Sequence, residues 1–410
     1  MLESVEDLKS EYETQLPLEH SFTEVSDEEI AVLKRDILEH VKGLNLPSWP
    51  GRSLDDPLAK DSIRAMHSQH REQTLHRELA PLKNRLGELL ECFANGRDVI
   101  PSAIDPELVP VKSDERSGDL FRLATLLWSI PVSKGYGRRI RYLVRDRSNK
   151  KLIGVFGLTD PVFNLRARDE WIGWNVNQRR AGLVHVMDAY VLGSVPPYSY
   201  LLGGKLVASL IGSAEVNEAF AQKYAEKAGI ISERQKSARL TLVTVTSALG
   251  RSSLYNRLRL VVADGDLRRR RILVELNRIG WTEGYGHFHL SDAHFRRLRD
   301  LLSRQGHHYA NGHAFGQGPN WRIRLSRVGL SMLGIDPQLL KHGIAREIFA
   351  MPLAHNTREF LRGDVDDVHL DRPPANEIAN AALRRWVLPR ASRSDAFASF
   401  DKSELVSRLT

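Results

Sequence analysis

Residues 153–213 narrow the fold most. They open on an apolar run, Ile153-Gly154-Val155-Phe156-Gly157-Leu158, which Thr159-Asp160-Pro161 cuts off. A run this short between turn residues suits a strand better than a buried helix. Just upstream, Arg141-Tyr142-Leu143-Val144 reads as a second strand, and the polar turn 146–151 joins the two as a β-hairpin. A core that contains such a hairpin must be a sheet, and the segment goes on to supply elements that would cover it. Leu183, Val184, Met187, Tyr190 and Val191 recur at helical spacing, so a helix is expected over 177–192, ended by Pro196-Pro197. A short helix over 201–211 is opened by Gly203-Gly204, and Ser213 is placed to cap another over 214–228, with Gly229 past its end.

Elsewhere the periodicities predict helices. Acidic Asp27, Glu28 and Glu29 suit a first turn. Leu75, Leu79, Leu82, Leu86, Leu89 and Leu90 stripe a long helix over about 60–94, with Pro81 as a kink. Residues 101–110 read as a proline-punctuated connector and 119–128 as a short helix. Residues 239–245 and 258–262 read as strands, and 279–290 as a bent strand with Gly284 and Gly286. Ser291 is placed to cap a basic helix, 306–320 is a glycine- and histidine-rich loop, and helices are expected over 321–333, 337–348 and 377–387. The fold class is α+β (mixed α/β): a central mixed sheet flanked by helices. The expected domains are an acidic helical lobe over 1–110, the core over 111–305, and a basic loop with a helical region over 306–410.

Charge is segregated along the chain. The net charge is +8, yet residues 111–350 alone hold 38 Lys and Arg against 20 Asp and Glu, while residues 1–110 hold 12 against 22. Arg outnumbers Lys by 44 to 15, and the guanidinium fork is the better bidentate phosphate partner. A basic block of this size is the footprint of a nucleic-acid binder. The contact candidates are Arg138 and Arg139 beside the hairpin, the turn-borne cluster Arg268, Arg269, Arg270 and Arg271, and Arg322 and Arg324 after a glycine-rich loop. The acidic 1–110 lobe could instead dock on this basic face or on a basic partner. Cys92 is the single cysteine, so neither an internal disulfide nor a multi-cysteine zinc site is expected. The polar, acidic start lacks a secretory pattern, and no apolar run reaches a membrane-spanning length. A cytoplasmic protein without membrane contact is expected.

Two stretches could carry ligand chemistry. Trp171 and Trp174, followed by Arg179, Arg180 and Gly182, could present a phosphate-binding loop before a helix. Gly203, Gly204 and Lys205 could do the same, although the spacing is not that of a P-loop. With an acyl-CoA pyrophosphate held there, Asp169, Tyr285 or His287 could act as acid or base. This is the enzyme alternative, with acyl-CoA its one conceivable cofactor. His287, His289, His307, His308 and His313 show no HExxH and no fixed carboxylate spacing, so no metal site is expected.

Longer blocks resemble a known family. GVFGLTDPVFNLRARDEWIGW, VMDAYVLGSVPPYSYLLGGKLVA, TEGYGHFHLSDAHFRRLRDLL and FGQGPNWRIRLSRVGLSMLGIDPQLLKHGIAREIFAMPLAHNTREFLRG are similar to the DruA family of Druantia anti-phage defence, over about 140–364. The resemblance implies a prokaryotic immunity protein that works with other Druantia components, among them a large helicase. It also implies an acetyltransferase-like core. It transfers no catalytic residue, and a fold likeness does not establish a chemistry.

Overall fold

In the computed structural model, residues 25–43, 60–112, 116–225, 238–264, 266–286, 289–312 and 319–409 are described, with only the backbone described for 264, 266–269, 319 and 320. Along the chain come α1 (Asp27–Gly43), α2 (Lys60–Leu79), α3 (Leu86–Leu90), β1 (Pro106–Pro110) and α4 (Arg116–Leu126). The hairpin β2 (Arg139–Asp146) and β3 (Leu152–Thr159) leads to α5 (Arg166–Ile172), α6 (Val176–Gly182) and β4 (Val186–Ser194). Then follow α7 (Gly203–Leu210), α8 (Ala214–Tyr224), β5 (Leu242–Thr246), β6 (Arg259–Asp264), β7 (Asp266–Glu275) and β8 (Asn277–Trp281). The remaining main elements are α9 (Asp292–Arg304), α10 (Pro319–Met332), β9 (Glu347–Pro352), α11 (Thr357–Arg362) and α12 (Ala375–Ala382).

Seven strands form one mixed sheet in the order β1-β2-β3-β4-β5-β9-β8, and β6 and β7 form a separate ribbon. Every neighbouring pair is antiparallel except β4 and β5, which run parallel from Val186↔Leu242 to Ala189↔Val245. A parallel pair needs a long crossover, and the helices α7 and α8 lie within it. β3 is buried at all eight positions. On one face Phe156 and Leu158 join the cluster that holds Leu206, Val207 and Ile211 of the α7 region and Ile378 and Ala382 of α12. On the other, Leu152 and Val155 join Leu89, Phe93, Leu120 and Leu123. Ile153 is an extra residue where the register slips between Val144↔Gly154 and Arg145↔Leu152, which is a β-bulge. Gly154 is required there, since a Cβ would stand 2.3 Å from the Gly193 carbonyl oxygen and 2.9 Å from Val207.

The expected hairpin, β5, β6 and the Ser291 cap are present; the Ser291 hydroxyl accepts the His294 N–H at 3.1 Å. Several expectations are corrected. The helix over 177–192 stops at Gly182, and Val186–Ser194 is a strand. Met187 and Val191 keep helical spacing because the strand that carries them is nearly continuously apolar, and Leu183 lies in the 3-10 turn before it. The helix over 337–348 is a single 3-10 turn, Pro337–Leu340, and the chain then becomes β9, buried at its first five positions. The long helix over 60–94 breaks at Pro81, which opens the 3-10 segment Ala80–Arg85. The connector over 101–110 contains the edge strand β1, framed by Pro106 and Pro110, where an edge tolerates proline. The run Arg268–Arg271 lies on strand β7, not in a turn. Ser213 occupies the N-cap position of α8 without a side-chain cap bond, and Gly229 lies outside the described residues.

The chain divides into two units. The larger comprises Val41–His289 and Leu340–Thr410 and contains the sheet. The smaller joins Leu290–Leu339 to the chain up to His40. In it α9 packs on α10, with Gly329 against Leu298 and Leu302. α1 is tied to α9 by Arg297 to Asp36 at 2.6 Å, Arg304 to Glu29 at 3.2 Å, and an edge contact between the His40 and His294 rings.

Arg372 staples the larger unit. Its Nε donates to the Gly212 carbonyl and its Nη2 to the Leu273 carbonyl, each at 2.7 Å. Burial pulls its guanidinium down to about 10, with Asp371 acting the other way. Because removing it strands two carbonyls, Arg372→Ala is expected to cost about 2–4 kcal/mol in urea unfolding. A loss within about 0.5 kcal/mol, the range of an ordinary surface change, would show that the staple is dispensable.

A candidate nucleic-acid interface

The crossover brings the end of α8 beside the start of β2. The Tyr224 hydroxyl accepts the Arg139 N–H at 2.8 Å and donates to the Arg139 carbonyl at 2.9 Å, where the Lys223 ammonium also donates at 2.9 Å. This clasp borders an open cleft of about 620 Å³ lined by Arg139, Arg141, Tyr142, Lys223 and Tyr224. Arg139 is exposed, and among the described residues its guanidinium meets the Lys134 carbonyl at 3.4 Å and no carboxylate. Tyr142 is buried and its phenol is pushed up to about 12, first by burial and then by Glu215 and Glu218. The cleft therefore sets cations beside the half-buried Tyr224 ring, and cations beside an aromatic ring are the pairing that holds phosphates and stacks bases.

The structure sorts the other basic candidates. Arg138 is turned inward: its Nε meets Asp160 at 2.6 Å, its Nη1 donates to the Val184 carbonyl at 2.6 Å, and Phe220 lies 5.3 Å from it. It anchors the start of β4, which sets it apart from its exposed neighbour Arg139. On β7, Arg270 is exposed, Arg271 pairs with Glu377, and the side chains of Arg268 and Arg269 lie outside the described residues. In the smaller unit Arg322 meets Asp292 at 2.8 Å over the Phe295 ring, while Arg324 is exposed.

Asp169 is not the open carboxylate that a general base needs. It is buried, taking Arg168 at 2.7 Å on one oxygen and Arg179 at 3.1 Å on the other, and Arg168 is fully buried. Among the described residues the carboxylate whose proton affinity is raised is Asp188 on β4, which sequence reasoning missed by reading that segment as a helix. Burial raises its pKa above the usual carboxylate range, against the pull of Arg168 and of its bonds from the Thr244 hydroxyl and the Val162 N–H. The register Asp188↔Thr244 creates this pair. Such perturbed groups gather at functional sites, although no Asp188 chemistry follows from that alone.

The two expected phosphate loops are filled with protein. Trp174 donates to the Leu361 carbonyl at 2.6 Å, Gly182 is pressed against its ring, and Arg179 covers Phe163. Trp171 is half-buried under Arg358, and Arg180 is exposed. Gly203, Gly204 and Lys205 are all buried in α7. A Cβ on Gly204 would stand 2.5 Å from Leu254, and Lys205 donates to the Leu254 carbonyl at 2.7 Å. Tyr285 is half-buried in a bridge with Lys341, and His287 lies outside the described residues. Among the described residues no histidine, cysteine and carboxylate cluster could hold a metal, and no helix is long and apolar enough to cross a membrane.

The two aspartates should respond oppositely to neutralisation. Asp169→Asn leaves the Arg168 charge under-compensated, an expected loss of about 3 kcal/mol at pH 7. Asp188 has a raised folded pKa, so its contribution is greatest below the unfolded value of about 3.9 and declines as pH rises. Asp188→Asn should therefore equal or exceed the parent's melting temperature at pH 7 and lose that advantage below about pH 4. Melting curves from pH 3 to 8 check both, and a neutral-pH loss in Asp188→Asn as large as that in Asp169→Asn would contradict the assignment.

The comparisons with known proteins agree with the blocks noted in the sequence. The model of the family described as Druantia protein DruA matches residues 57–363. The chain is 45% identical over 379 residues to the Druantia protein DruA of Escherichia coli (strain UMEA 4076-1), covering 92% of this chain and 91% of that one. No solved structure matches. With a family model spanning most of its length and a relative this similar, the chain belongs to the DruA family and is a component of Druantia anti-phage defence.

Proposed function

We propose that this protein engages phage or host nucleic acid during Druantia defence, through its basic surface. The observation that carries the reading is the cleft at the β2–α8 clasp, where exposed Arg139, with no carboxylate partner among the described residues, stands beside Lys223, Arg141 and Tyr224. The charge of the surrounding sequence favours approach by a polyanion. Anisotropy with labelled DNA and RNA at several salt concentrations tests it. The double variant Arg139→Glu, Lys223→Glu should weaken binding and flatten the log–log salt slope by about 2 on duplex DNA, because each lost phosphate contact removes about 0.9. An unchanged affinity and slope would remove the cleft from the interface.

The smaller unit favours a second reading, a scaffold whose acidic helix shields its own arginines. Glu29 and Asp36 of α1 pair with Arg304 and Arg297 of α9. If that shielding limits nucleic-acid contact, or keeps the helix in wait for a partner such as the Druantia helicase, Glu29→Lys with Asp36→Lys should raise nucleic-acid affinity several-fold. Affinity that stays equal or falls speaks against shielding.

The acyl-transfer reading would hold the acyl-CoA pyrophosphate on the 171–182 loop, with Asp169, Tyr285 or His287 as acid or base, but Asp169 is taken up by Arg168 and Arg179. Leu254 packed on Gly204 and the buried Lys205 leave it with little support. A thermal shift with acyl-CoA would revive it.

A further inference from the structure

A second cationic feature of the larger unit stands apart from the cleft. Arg346 precedes β9, and its backbone is fixed by paired bonds with Thr282: Arg346 N–H to the Thr282 hydroxyl at 3.0 Å, and Thr282 N–H to the Arg346 carbonyl at 2.9 Å. Among the described residues its guanidinium has one hydrogen-bond neighbour, Nε2 of His67 on α2, at 3.3 Å. Its Nε is sealed from solvent and meets no acceptor, and no carboxylate pairs with the group among the described residues. Around it stand His67, 5% exposed, and His342, 4% exposed, with His289, 1% exposed, 6.1 Å from His342 ring to ring.

The backbone holds this cluster in place. Nδ1 of His342 accepts the Ile344 N–H at 3.0 Å, so its proton sits on Nε2, beside Gly286. Gly284 has φ +68°, and a Cβ there would stand 2.9 Å from Gly343, so the turn closes only with glycine. Burial, and then the Arg346 charge, hold both His67 and His342 down at about 3, so neither adds a cation at neutral pH. Facing them are Arg346, His70 and His289, and the His342 ring donates to the Tyr285 backbone. A buried cation with unsatisfied donors is costly to leave unpaired. The chemistry that answers it is an oxyanion able to accept from several N–H donors at once.

We propose that Arg346, His67 and His342 form a binding site for the phosphate group of a ligand. Arg346 supplies the charge and the donors, and the two imidazole rings and the glycine turn shape the rim. The site does not depend on the Arg139 cleft. Two sources could supply the group, a small phosphorylated metabolite or the terminal phosphate of a nucleic acid strand, and the probes separate them.

The test is a thermal shift on the full chain at constant ionic strength. The probes are inorganic phosphate, a nucleoside triphosphate, and one oligonucleotide with and without a 5′-phosphate, with chloride as control. With ligand at about 100 times its Kd, the melting temperature should rise by a few degrees, and Arg346→Gln should abolish the rise while nucleic-acid binding at Arg139 persists. A rise with inorganic phosphate or triphosphate supports the small-ligand source. A rise only with the 5′-phosphorylated strand supports the strand end. A rise that chloride reproduces, one that survives in Arg346→Gln, or none with any phosphate probe overturns the proposal. If Arg346→Gln fails to fold, imidazole NMR on the parent decides: bound phosphate should move the His67 and His342 signals and raise their titration toward the ordinary range, and unmoved signals overturn the proposal.

Discussion

β4 has two kinds of neighbour, antiparallel β3 and parallel β5, and the larger unit depends on that arrangement. A parallel partner cannot be reached by a tight turn, so the chain must leave the sheet after β4 and return at β5. α7 is buried at all eight of its positions in making that passage. α8 then runs back to the start of β2, where Tyr224 and Lys223 clasp Arg139. The cleft proposed to meet nucleic acid is thus a consequence of how the sheet changes direction. The same pairing sets Asp188 opposite Thr244 and keeps its carboxylate out of water.

Arginine count alone would have misdirected attention. The residues divide by what holds their guanidinium groups. Arg138, Arg168, Arg179 and Arg372 are spent on carboxylates and backbone carbonyls inside the larger unit, and Arg297, Arg304 and Arg322 on carboxylates inside the smaller one. Arg139 and Arg270 remain exposed without a carboxylate partner among the described residues. Arg346 is a third kind, enclosed yet without a counter-ion among the described residues. Net charge brings a polyanion close, and arginines of the second and third kinds can meet it without first giving up a carboxylate.

The sequence made some elements readable and hid others for physical reasons. The β2–β3 hairpin was readable because a polar turn separates two short apolar runs, and α9 because Ser291 caps it. β4 and β9 were mistaken for helix because strands covered on both faces lose their alternation. β7 was mistaken for a turn because four successive arginines can be carried by a two-stranded ribbon. In the site, Arg139 was found from its place beside the hairpin, but nothing in the local pattern distinguished it from Arg138, which faces inward. Tyr224 and Lys223 were missed because their role exists only through the crossover. His67 and Arg346 lie 279 residues apart in the chain, so no spacing motif could join them, and Gly284 and Gly286, expected within a bent strand over 279–290, stand past the end of β8 at Trp281.

Hydrogen–deuterium exchange of the full chain with and without a saturating oligonucleotide tests whether nucleic acid is met at the β2–α8 clasp. Added protection is expected in peptides covering 139–142 and 219–224, where bound phosphates would hold the start of β2 and the end of α8 closed against local opening. Tight binding that leaves both peptides exchanging as in the unbound protein, with protection confined to other surfaces, would contradict it.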